Sequence, residues 1–140
     1  MYKRQVNACA DALLARELPI QLLINNAGLA GLRGATKDGF ELHFGVNHLG
    51  HFLFTLRLLD RIVESSPARI VNVASRSHYD AKALDLDAVQ KRTSSISGVP
   101  EYSVSKLANV LFTRSLAKRL EGKGVNVYSC LLYTSPSPRD

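Results

Sequence analysis

Arg69-Ile-Val-Asn-Val-Ala-Ser75 is a β-branched apolar run that ends on small and polar residues, the pattern of a short strand buried in a parallel sheet. Leu23-Ile-Asn-Asn-Ala-Gly28 repeats that pattern upstream, where Ile20-Gln-Leu-Leu-Ile24 supplies the apolar part, and Val125-Asn-Val-Tyr128 begins a third strand. Helical patterns alternate with these runs. Val6 to Glu17 is alanine-rich and carries Leu13 and Leu14, with Pro19 closing it. From Phe40 to Glu64 the residues Phe44, Leu49, Phe52, Leu56, Leu59 and Val63 keep helical spacing, which predicts one long helix, bent near Gly45 or Gly50 and capped by Thr36 or Asp38. Tyr102 to Glu121 is again helical, with Leu107, Val110, Leu111, Leu116 and Leu120 as the apolar stripe and Gly122 and Gly124 at its end.

Strand, helix, strand, helix, strand implies right-handed crossovers and a parallel sheet between helical layers. Ligands collect at the carboxyl ends of the strands in such sheets, which is where Gly28 and Ser75 fall. Arg76 to Pro100 has little periodicity and reads as a long connection with a short helical turn around Asp85 to Lys91.

Tyr102 and Lys106 stand four residues apart at the start of the last helix and so share a face. An ammonium about 5 to 6 Å from a phenol favours the phenolate and brings the phenol's proton toward reach at working pH. The pair outlines an acid/base catalyst, although a Tyr and a Lys one turn apart also occur on ordinary helix surfaces. Ser75 could equally end a strand, with Ser77 beside it. Asn47 could face solvent, and Asn25 and Asn26 could form a plain turn.

The chain of 140 residues is large enough for one domain with a core. No apolar run approaches the roughly 20 residues that cross a bilayer. The net charge of +6 includes Lys3 and Arg4 in the opening Met-Tyr-Lys-Arg-Gln, and the other basic residues are scattered among acidic ones, a pattern that does not point to nucleic acid. Cys9 and Cys130 have neither metal-ligand nor CxxC spacing, so two free thiols in a reducing, cytoplasmic compartment are expected. His43, His48, His51 and His78 lack an accompanying carboxylate or cysteine ligand set, which favours packing over metal binding.

Asn25-Asn-Ala-Gly28, Asn47 within Val-Asn-His-Leu-Gly-His, Val71-Asn-Val-Ala-Ser75 and Tyr102-Ser-Val-Ser-Lys106 together resemble the ordered motif set of the short-chain dehydrogenase/reductases. The wording around them, Glu41-Leu-His-Phe-Gly-Val-Asn-His-Leu-Gly-His-Phe-Leu and Ser105-Lys-Leu-Ala-Asn-Val-Leu-Phe, is similar to the retinol-dehydrogenase-like branch. The resemblance implies an NADP- or NAD-dependent oxidoreductase, with NADP favoured, that interconverts an alcohol and its aldehyde or ketone, the substrate being small and lipophilic.

The resemblance makes Tyr102 the general acid/base and Lys106 the group that assists it and holds the nicotinamide ribose. Ser75 would donate to the substrate oxygen. Asn47 would bend its helix and tie a relay water to Lys106. Asn25, Asn26, Ala27 and Gly28 would line the adenosine side of the cofactor and stabilise the sheet edge, and homo-oligomers would form through the two long helices. Two readings compete: a protochlorophyllide-reductase-like enzyme, disfavoured by the absence of pocket cysteines, and an inactive binding module that keeps only the fold.

The resemblance runs from about Val6 to about Ser129 and departs from the family at both ends. The family's first strand, Gly-rich turn and phosphate-binding helix would precede Val6, as would any membrane anchor and the residues that read the ribose 2′ position. The expectation is a partial Rossmann-type doubly wound sheet, lacking the first βαβ unit and the C-terminal strands. Residues 1–5 and 130–140 would then be foreign or disordered. Exposed apolar edges, poor solubility and weak cofactor binding would follow.

Overall fold

The computed structural model describes residues 2–131. Helix α1 (Tyr2–Leu14) leads into β1 (Leu22–Asn25), and a wide helical turn at Phe44–Leu49 continues as α2 (Gly50–Glu64). Then follow β2 (Ala68–Val73), two single turns at Arg76–Asp80 and Ala88–Gln90, α3 (Val99–Arg119) and β3 (Val125–Cys130). The strands form one parallel sheet in the order β1-β2-β3, with Leu23 opposite Ile70 and Ile70 opposite Val127. The fold is therefore the expected part of a doubly wound sheet.

The core explains the assembly. Leu23, Ile70 and Val125 point from the three strands toward Leu58 and Ile62 of α2, Phe112 and Leu116 of α3, and Ala10 of α1. Each large apolar side chain so buried contributes about 1.5–3 kcal/mol. Exposure alternates along β1, with Leu22 and Ile24 at 56% while Leu23 is at 8%. Among the described residues the helices thus cover one face of the sheet and leave the other open, where layers on both faces were expected.

Several boundaries differ from the sequence reading. Helix α1 starts at Tyr2 and stops at Leu14, not Glu17, because Glu17 takes a left-handed backbone (φ 55°) that a helix does not admit. Neither Thr36 nor Asp38 caps the long helix. The Thr36 hydroxyl instead accepts from Phe40 N–H in a preceding turn, and the Glu41 carboxylate accepts from Phe44 N–H at 2.8 Å where the helix begins. Helix α3 starts at Val99, three residues early, with Pro100 in its first turn and Gly98 as a left-handed cap. Strand β3 continues through Ser129 to Cys130, which pairs with Val73, and residues 132–140 of the expected tail lie outside the described residues.

Candidate active site

The carboxyl ends of β1 and β2 and the first turns of α3 enclose a cleft of about 300 Å³ lined by Asn26, Gly28, Ala74, Ser75, Tyr102 and Lys106. Its formation follows from chain direction. Parallel strands deliver Asn26 and Ser75 to the same end of the sheet, and the crossover after β2 returns α3 with its N-terminus beside them.

Lys106 is 4% exposed, and its Nζ donates to Val73 O at 3.1 Å while standing 5.6 Å from the centre of the Tyr102 ring. Burial lowers its pKa from the usual lysine value, since desolvation penalises the ammonium. The ring of Tyr102 is half-buried and meets His43 edge-on. Ser75 caps the turn that follows it by accepting from Ser77 N–H at 3.2 Å, while its hydroxyl lies 3.3 Å from Ser77 Oγ. That O–H···O contact is long, so the Ser75 hydrogen is free to turn to a stronger acceptor in the cleft.

Asn47 sits in the wide turn Phe44–Leu49, where Gly50 N–H reaches back five residues to Gly45 O. Such single wide turns bend a helix locally and occur often at functional sites. The turn lets Asn47 face sideways: its amide accepts from Leu29 N–H at 2.8 Å and donates to Leu29 O at 2.9 Å and to Ser105 Oγ at 3.0 Å. Ser105 in turn donates to Tyr102 O at 2.6 Å. One side chain thereby joins the loop after β1 to the helix that carries Tyr102.

A Cβ on Gly28 would stand 3.2 Å from Asn47 Oδ1 and 3.7 Å from Lys106 Nζ. The missing side chain therefore keeps the cleft open beside the ammonium. Asn26 and Gly28 line the cleft, whereas Asn25 turns away from it. Its buried amide donates to Thr55 Oγ1 at 2.8 Å and to Asn72 Oδ1 at 2.7 Å, which ties β1 to α2 and β2. Ala27 is exposed and does not line the cleft.

Two features were not read from the sequence. Asn109, one turn beyond Lys106, donates to Asn47 O at 2.9 Å and to Val73 O at 3.4 Å and meets His48 Nδ1 at 3.0 Å. The backbone carbonyl of Asn47, the residue expected to tie a relay water, thus takes a protein donor. The other is the buried Glu41, bonded to His43 Nδ1 at 2.9 Å. Asn109 carried a signal, since it lies on the Tyr102–Lys106 face, while Glu41 and His43 stood inside a helical pattern that hid them. His78 Nδ1 meets Ser75 O at 2.7 Å, and His51 is buried between α1 and α2. Among the described residues no group of three or more His, Cys, Asp or Glu could hold a metal ion, and no helix is long and apolar enough to cross a membrane.

A family model described as short chain dehydrogenase matches residues 2–84. This chain belongs to the short-chain dehydrogenase family. Within it, the chain is 49% identical over 129 residues to retinol dehydrogenase 12 of Mus musculus, covering 90% of this chain and 40% of that protein. It therefore spans about two fifths of the length of the curated relatives it matches. Among solved structures, an uncharacterized protein from Mycobacterium paratuberculosis superposes with a TM-score of 0.75 at 35% identity, over 96% of this chain and 48% of that one. A short chain dehydrogenase/reductase from Burkholderia phymatum, solved in complex with NAD, superposes at 0.63 with 28% identity, over 92% and 42% of the two chains.

Proposed function

We propose that this chain forms the proton-transfer side of the active site of a nicotinamide-dependent oxidoreductase that interconverts a lipophilic alcohol and its aldehyde or ketone. The observation that carries the reading is the meeting of Tyr102, Lys106, Ser75 and Gly28 in one cleft. In carbonyl reduction the Tyr102 hydroxyl gives its proton to the substrate oxygen. Ser75 donates a hydrogen bond to that oxygen and so sets its angle. The Lys106 ammonium, 5.6 Å from the centre of the Tyr102 ring, would offset the negative charge left on the phenol oxygen. In alcohol oxidation the same groups act in reverse.

NAD or NADP would lie with its nicotinamide ribose against Lys106 and the bare backbone of Gly28, and when bound it supplies or accepts the hydride. Three points support this placement: the space beside Gly28, the lysine donors left after the bond to Val73, and the NAD held by the Burkholderia phymatum relative. The retinoid-like substrate is suggested by the name of the mouse relative. The test is reduction of retinaldehyde and of straight-chain aldehydes with NADH and with NADPH, in a polypeptide extended at both ends to the relatives' length. Turnover of the long-chain or retinoid aldehydes is expected. Cofactor binding without turnover of any carbonyl would overturn the reading.

A further inference from the structure

Glu41 and His43 are buried ionisable groups that the proton-transfer scheme leaves unused. Glu41 is 2% exposed and His43 fully buried, a costly placement for a carboxylate unless donors surround it. Three do. His43 Nδ1 lies 2.9 Å from Oε1, Thr93 Oγ1 donates to the same oxygen at 2.5 Å, and Phe44 N–H donates to Oε2 at 2.8 Å. A carboxylate can only accept, so Nδ1 carries a hydrogen and this bond fixes the orientation of the imidazole.

The rest of that ring faces the opening of α3. A Cβ on Gly98 would meet His43 Cε1 at 2.9 Å, and the Tyr102 ring lies at 6.2 Å between centroids with 79° between the planes. Tyr102 N–H donates to Gly98 O at 3.0 Å, so His43 presses at once on the cap of α3 and on the ring that the cap positions. His43 Nε2 has no hydrogen-bond partner. An apolar side chain would fill the same space without burying an unpaired nitrogen, but it could not be oriented by Glu41.

We propose that His43, oriented by Glu41, is a positioning residue that holds the Tyr102 ring at the angle the cleft requires. The inference rests on the role given to Tyr102 above. A side chain in the first turn of a helix, half-open to solvent, keeps rotational freedom that an edge-on neighbour removes, and a misplacement of about 1 Å can cost about a hundredfold in rate.

The test is steady-state carbonyl reduction in the polypeptide extended to the relatives' length, with kcat expressed per cofactor-binding site so that misfolded protein is not counted. His43→Phe keeps a ring but loses the bond to Glu41, and Thr93→Val loosens Glu41 while leaving His43 in place. The expected result for His43→Phe is a kcat about ten- to a hundredfold lower with the aldehyde KM within about threefold of the parent. Thr93→Val should lower kcat severalfold in the same manner. Unchanged kcat per site in both variants, with only the melting temperature reduced, would overturn the positioning role. Where His43→Phe fails to fold, unchanged kcat in Thr93→Val overturns it alone. Tyr102→Phe is run beside them: activity surviving that substitution overturns the proton-transfer reading itself, a failure distinguishable from that of the positioning role.

Discussion

Single side chains at this site are held by partners on other segments, so their removal should be felt beyond their own bonds. Asn109 is the clearest case. Asn109→Ala takes a donor from the Asn47 carbonyl and the partner from His48 Nδ1, while the Val73 carbonyl keeps Lys106 Nζ, and a buried polar group left without a partner costs about 1–3 kcal/mol. Urea denaturation should show a loss of at least about 2 kcal/mol, and a loss below about 0.5 kcal/mol would contradict the assigned network. His51 makes a second prediction. Burial, reinforced by the charge of Lys106, lowers its pKa from 6.5 to about 4. The unfolded chain therefore binds a proton more readily than the folded one. Stability is undiminished above pH 6.5, falls as the pH drops toward 4, and levels off below, a loss of up to about 3 kcal/mol. Denaturation midpoints across that range should show the fall in the parent and a much smaller one in His51→Asn.

Elements were legible where their pattern is local. The four-residue spacing of Tyr102 and Lys106 placed them on one face because a helix repeats over that distance, and the β-branched run at Ile70 to Val73 located β2. The wide turn at Phe44–Leu49 was anticipated as a bend near Gly45 or Gly50 and, from the resemblance, at Asn47, but not as a wide turn, since nothing in apolar spacing distinguishes a five-residue hydrogen bond from a four-residue one. The glycine within it answers to a contact outside the turn. A Cβ on Gly45 would collide with Thr36 Cγ2, so the loop before the helix packs directly onto its backbone. Gly45→Ala should cost about 1–3 kcal/mol, and adding Thr36→Ser, which removes the methyl but keeps the hydroxyl that Phe40 N–H uses, should recover part of it. Additive losses in this double-mutant cycle would show that the contact is not what selects glycine. The polar links from Asn25 to Thr55 and Asn72, and from Asn72 to Thr113, were equally hidden, because each joins segments 30 to 47 residues apart.

At the scale of the whole molecule, one side of the sheet carries the helices and the buried core while the other is open among the described residues. Substitution on the two faces should therefore differ. Leu23→Ala removes a buried side chain and should cost about 2–5 kcal/mol, whereas Ile24→Thr on the exposed face should change stability by less than about 0.5 kcal/mol. Equal losses would mean that the sheet faces have been assigned wrongly. The alternation of helix and strand made the parallel sheet legible, but not the side on which each helix packs, which depends on the direction of each crossover. The same geometry gathers the cleft: β1 and β2 end beside the start of α3, so residues from Asn26 to Lys106 meet although 80 positions separate them. The central claim is that proton transfer in that cleft is carried by Tyr102. The direct measurement is kcat for aldehyde reduction by Tyr102→Phe, in the polypeptide extended to the relatives' length, with cofactor binding confirmed by titration. The predicted result is cofactor affinity within about threefold of the parent and a kcat lower by about 10²–10⁴-fold. A variant that binds cofactor and turns over aldehyde at the parent rate would contradict it.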